Sequence, residues 1–165
     1  MKRAAFHLLL SVTLTGCTGL PQGKVAPRMA FPESEYVVLA KTGIATVKGQ
    51  AFLKTRAGDV KTAAGNEVFL NPVTSYSLEW YEAYRSNRRI EERDPRLDEY
   101  VRSQLADGNG RFSFKNVPAG EYFLTTNVTW EAPTGFQGAL QRQGGIISTR
   151  IKVNEGDEIE VIVTR

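Results

Sequence analysis

The sequence predicts a mainly β sandwich carrying one helical insertion, on three observations. Short runs of alternating apolar and polar residues recur from Ile44 to Thr164. Clusters of Gly, Asn, Asp and Pro separate them, and residues 74–106 alone have helical composition. No regular strand–helix alternation runs through the chain, which favours a sandwich over a βαβ fold.

Ile44–Leu53 (IATVKGQAFL) is the first strand candidate, with Gly49 a candidate bulge. The turn-like Ala64-Gly65-Asn66 leads into a second strand, Glu67–Leu70. After the insertion, Arg111–Lys115 alternates cleanly. In Tyr122–Trp130 the residues Tyr122, Leu124, Thr126, Val128 and Trp130 share one face, and Ile147, Thr149, Ile151 and Val153 share another. Asn154–Asp157 then turns into Glu158–Thr164, where Ile159, Val161 and Val163 align.

The insertion divides in two. In its second half Asp94 can cap a helix, Pro95 suits the first helical position, and Leu97, Tyr100, Val101 and Leu105 recur at helical spacing. In its first half, Leu78–Tyr84, a helix would bring Trp80, Tyr81 and Tyr84 to adjacent parts of its surface. Trp, Tyr and Arg are the side chains that most often carry binding energy. Trp80, Tyr81, Tyr84, Arg85, Arg88 and Arg89 therefore form the candidate partner-binding set. The plainer expectation is that the aromatics seat the helix on the sheet while the arginines pair with Glu91, Glu92 and Asp94. Six arginines and seven acids leave the insertion nearly neutral.

The stretch Asp107–Leu124 (DGNGRFSFKNVPAGEYFL) begins like a calcium loop. An EF-hand starting at Asp107 needs oxygen ligands at its fifth and twelfth positions and glycine at its sixth. Arg111, Pro118 and Phe112 stand there. No EF-hand is expected, and only a partial calcium site near Asp107 stays open. Asn109-Gly110 instead suits a turn with positive φ, Phe112 and Phe114 point to one face, and Pro118 and Gly120 suit a β-turn. The expected unit is a hairpin.

The N-terminal stretch has another character. Lys2 and Arg3 precede the apolar run Ala4–Leu14, which is too short to span a bilayer but suits a secretory signal. Leu14-Thr15-Gly16-Cys17 resembles the lipobox of bacterial lipoproteins. That resemblance implies removal of residues 1–16 and diacylglyceryl attachment to the Cys17 thiol, which anchors the protein to a membrane. Thr18, in place of aspartate, resembles an outer-membrane sorting signal and leaves open the periplasmic or the surface face. Residues 17–42 are expected as the lipidated N-terminus and tether, with Pro21, Gly23, Pro27 and Pro32 marking its flexible part.

Processing changes what chemistry remains. His7 is the single histidine and Cys17 the single cysteine, so the mature chain keeps neither a histidine nor a free thiol. Ser-His-Asp and Cys-His nucleophiles and His/Cys zinc sites are thereby excluded, and no cofactor or metal is expected. Without Lys2 and Arg3 the 21 basic side chains become 19 against 18 acids, net +1, with no basic stripe for nucleic acid. Glu91-Glu92 and Asp157-Glu158 are adjacent pairs, a spacing that does not place two carboxyls across a substrate.

Asp107-Gly-Asn-Gly-Arg-Phe-Ser-Phe followed by Pro118-Ala-Gly-Glu-Tyr122 resembles the signature of carboxypeptidase regulatory-like, or transthyretin-like (prealbumin-like), domains. Gly49-Gln-Ala-Phe52, Gly65–Leu70 and the closing strands through Gly156 fit the same pattern. The resemblance implies a Greek-key sandwich of about seven strands over residues 43–165, with 74–106 inserted. It implies no peptidase activity, since in peptidases this module accompanies a separate zinc domain. The function expected is a non-catalytic, lipid-anchored envelope protein acting as a protein-interaction or structural module, with an envelope or secretion assembly suggested by analogy of architecture alone. Two alternatives are a glycan- or peptidoglycan-binding module using the insertion aromatics, and a histidine-free carboxylate hydrolase.

Overall fold

A computed structural model describes residues 24–135 and 138–165; the signal segment, Cys17 and Thr18 lie outside them. The chain is mainly β, in two four-stranded sheets. β1 (Ala45–Lys54) organises the first sheet. It pairs antiparallel with β2 (Val60–Thr62) and β5 (Arg111–Val117), and parallel with β8 (Glu158–Val163). The second sheet is antiparallel throughout, in the order β4 (Arg102–Leu105), β3 (Glu67–Pro72), β6 (Gly120–Pro133), β7 (Leu140–Val153).

Alternation delivers Val47, Ala51 and Leu53, Phe112 and Phe114, and Leu70, Leu124, Val128, Ile147 and Val153 to one core between the sheets. Fully burying a side chain of the larger kind contributes roughly 1.5–3 kcal/mol. Thr126 joins that face because its hydroxyl donates to the Glu67 carbonyl at 2.7 Å. Gly49 is not a bulge: it stays in register, and the irregularity lies between Ala45 and Val47. Its missing side chain has a packing cause, because a Cβ there would stand 2.6 Å from the Phe112 ring and 2.3 Å from the Val161 carbonyl oxygen.

The expected hairpin at Pro118 is instead a corner. β5 lies in the first sheet and β6 in the second, so Pro118-Ala119 carries the chain between sheets. Turn chemistry specifies a change of direction but not which strands pair. The Tyr122 hydroxyl donates to the Pro118 carbonyl at 2.9 Å and fixes that passage. At the other end of β5, the Asp107 carboxylate accepts from the backbone N–H groups of Asn109 (2.8 Å) and Arg111 (2.9 Å). Gly110 adopts φ +73°, where a Cβ would meet the Ala51 carbonyl oxygen at 2.6 Å. The acid that suggested calcium thus closes an Asx turn.

Within the insertion, α2 (Ser75–Arg85) follows the short helix α1 (Glu33–Val37) and starts at a reciprocal cap between Thr74 and Ser77. Asp94 caps as expected and Pro95 opens a helix, but it is a short 3-10 helix, Pro95–Glu99. Residues 102–105 are the edge strand β4, and Leu105 is 61% exposed. Pairing with the open edge of β3 satisfies this backbone, and it outweighs a helical spacing carried by few residues.

The expected tether is packed from Ala26 onward. Ala26 bridges Ile90, and Tyr36 in α1 is 0% exposed in a second apolar cluster with Tyr76 and Leu97. Phe31 stacks on Tyr36 with centroids 4.6 Å apart. Thr74 donates a hydrogen bond to the Tyr36 hydroxyl at 2.7 Å, and burial pushes that phenol's pKa up. Glu35 accepts from the Ser75 hydroxyl and N–H at 2.5 and 2.8 Å, which hold its carboxyl below the ordinary range. Proline and glycine content predicted a flexible coil; the aromatic anchors after Pro27 override it. No helix among the described residues is long and apolar enough to cross a membrane.

Candidate functional site

Helix α2 lies across the outer face of β6 and β7. Phe123 points to that face, opposite Tyr122 and Leu124, yet is only 1% exposed. Tyr81 covers it, stacking with centroids 4.4 Å apart and planes 23° apart. One turn on, the Tyr84 hydroxyl donates to the Ile146 carbonyl of β7 at 3.0 Å. Trp80 stacks on Tyr84 at 5.5 Å with planes 6° apart, and Tyr81 and Tyr84 are 6.2 Å apart. Trp80, Tyr81 and Tyr84 are each half-buried. They seat the helix on the sheet, as the plainer expectation had it, and still leave ring surface to solvent.

Of the pairings expected for the insertion's arginines, that with Asp94 forms, through Arg96, while Arg85, Arg88 and Arg89 take no part. Asp94 accepts a two-pronged contact from Arg96 (3.0 and 2.9 Å), which pulls its pKa down to about 2. Glu91 accepts from the Arg28 backbone N–H at 3.2 Å. Arg85, Arg88 and Arg89 are exposed, and none forms an ion pair among the described residues. Arg85 sits in the last turn of α2; Arg88 and Arg89 follow Asn87, whose φ of 51° turns the chain away from the helix.

Beside the aromatic row lies an open depression of about 620 Å³, lined by Tyr81, Tyr84, Arg85, Asn87, Ile146, Ser148 and Arg165. The structure therefore joins three of the six sequence candidates in one place. Trp80 stacks at its side, while Arg88 and Arg89 are not in the lining. Four lining residues were not legible in the sequence: Asn87 follows the helix, and Ile146, Ser148 and Arg165 come from β7 and the last residue. Phe123 gave a usable signal, as a large aromatic on the otherwise polar face of a strand.

The rival constellations are engaged elsewhere. Asp157 accepts from the Asn154 N–H and side-chain amide at 2.8 and 2.9 Å, and Glu158 pairs with Lys48. No group of three metal-ligating side chains gathers among the described residues. Trp130 is half-buried against the main core and beside Gly144. A smaller cleft of about 160 Å³ lies at the sheet corner by Tyr100, Arg102 and Pro118, and Arg102 reaches across to the carbonyls of Lys115 and Asn116 at 3.1 and 3.0 Å.

No family model matches the chain, and no curated protein matches it. Among solved structures it is similar to a crystal structure from Pseudomonas aeruginosa described as a "putative carbohydrate binding protein". The TM-score is 0.74 at 29% identity, covering 84% of this chain and 99% of that one. The two chains share a fold across nearly the whole of that protein.

Proposed function

We propose that the protein is a non-catalytic carbohydrate-binding module, held at the outer membrane of a bacterial envelope by lipid on Cys17. The observation that carries the binding role is the stacked row Trp80–Tyr84–Tyr81 beside a depression lined by polar side chains. Aromatic ring faces pack against the C–H faces of sugars, and nearby Asn, Ser and Arg side chains supply hydrogen bonds to hydroxyls. The likeness to a protein described as carbohydrate binding supports the same class. The sandwich itself we assign to the carboxypeptidase regulatory-like, transthyretin-like kind, supported by the Phe112/Phe114 strand and the Tyr122 corner.

The test is titration of the mature protein with soluble peptidoglycan fragments and with neutral and acidic oligosaccharides. Trp80→Ala, a half-buried site, is expected to weaken binding about tenfold or more while the protein stays folded. Unchanged affinity in that variant, or no binding to any of these glycans, would overturn the role. Cys17→Ser is expected to abolish lipid labelling and leave unprocessed precursor.

A second reading, a protein-interaction module, draws on the β6–β7 arm. β3 pairs with β6 only from Tyr122 to Thr126, whereas β6 and β7 continue to pair as far as Pro133 and Leu140. The arm leaves Leu140 60% exposed. Pull-down from envelope extracts with and without residues 74–106, and with the arm shortened, separates the two: protein capture that follows the arm supports interaction with a partner protein.

A further inference from the structure

We propose that the glycan bound at this face is acidic, a polysaccharide carrying uronate carboxylates, and that Arg85 and Arg165 are its specificity determinants. The inference rests on the carbohydrate-binding role and narrows its ligand class. Arg85 and Arg165 both line the depression, and no Asp or Glu side chain lines it. Arg88 and Arg89 stand exposed just beyond the end of α2.

The insertion as a whole is nearly neutral, so this local excess arises from how the charges are sorted. Glu79 is taken by Arg28, Asp98 by Arg93, and Asp94 by Arg96. Glu82 and Glu92 remain exposed but outside the lining. On the adjoining strands Glu121 is matched by Arg150. What is left facing the depression, apart from the main-chain carboxylate of Arg165, is two guanidinium groups without an ion-pair partner among the described residues.

A guanidinium meets a carboxylate through two parallel N–H···O contacts, which fixes orientation as well as attraction. A uronate ring resting on Tyr81 and Tyr84 would direct its carboxylate to Arg85 or Arg165 and its hydroxyls to Asn87 and Ser148. The Ser148 hydroxyl already shares a hydrogen bond with Thr125 at 2.8 Å, and it retains capacity for one more. Because the site is open, its ionic part is screened by salt, whereas the stacking part is not.

The experiment titrates the mature protein with oligogalacturonate, its methyl ester, dextran, dextran sulfate and polyglutamate, at low and at physiological salt. Oligogalacturonate is expected to bind, with affinity lost on esterification and reduced by salt. Arg85→Gln and Arg165→Gln are each expected to weaken it about tenfold, while Arg56→Gln, an equal charge change on the exposed β1–β2 turn, leaves it unchanged. Equal binding of the ester or of dextran would overturn the acidic specificity but leave carbohydrate binding standing. Preference for dextran sulfate would overturn the carboxylate assignment, and equal binding of polyglutamate would overturn a sugar-borne one. Failure of every glycan would overturn the underlying role as well.

Discussion

Tyr122 holds the passage between the sheets by a single hydrogen bond to the Pro118 carbonyl. Both residues are buried, and burial pushes the Tyr122 phenol pKa up. Tyr122→Phe keeps the ring in the core but orphans a buried carbonyl, so it is expected to cost about 1–3 kcal/mol in denaturant unfolding. The inward placement of this residue was legible from alternation, since Tyr122, Leu124, Thr126 and Val128 follow a period of two. The corner was not legible, because one turn sequence serves both a hairpin and a change of sheet. At Asp107, Arg111, Phe112 and Pro118 in the fifth, sixth and twelfth positions already speak against an EF-hand, and the Asx turn explains why an acid stands there.

Among the elements, residues 26–39, the strap before β1, share one apolar cluster with helix α2. Tyr36 fills the second cluster, Glu35 meets the start of α2, and Arg28 lies 3.8 Å over the Tyr76 ring. Tyr36→Ala is expected to cost about 3–5 kcal/mol. Hydrogen exchange should then show protection lost in residues 31–39 and α2 before the sheets. Uniform loss across β1 and β6 would show instead that the strap is not a separate layer. The long strands were readable because alternation persists over many residues. The strap and β4 were not: each is short, and its structure comes from partners distant in sequence, Tyr76 for the one and the β3 edge for the other.

For the whole molecule, acid should act through carboxylates that the fold holds ionised. Asp94 is depressed from 3.8 to about 2, chiefly by its hydrogen bonds from Arg96. Glu35, Asp107 and Glu158 shift the same way, through Ser75, the backbone N–H groups of Arg111 and Asn109, and Lys48. Depressed groups contribute stability that is present above their unfolded pKa and lost as pH falls through the folded one. Thermal unfolding should therefore show a falling Tm between about pH 4.5 and pH 2; a flat profile would show that these contacts do not persist in solution. The candidate face has the same whole-molecule origin. Its aromatics and Arg85 were legible as one helical stretch, whereas Asn87, Ser148 and Arg165 join them only once the sheet is assembled.

Binding can be located through the two tryptophans of the chain, Trp80 on the proposed face and Trp130 against the main core. The deciding measurement is fluorescence titration of the mature protein and its Trp80→Phe and Trp130→Phe variants with oligogalacturonate and peptidoglycan fragments. A saturable change that persists in Trp130→Phe and disappears in Trp80→Phe is the result expected. A change that follows Trp130, or none with any of these ligands, would contradict a sugar-binding face on α2.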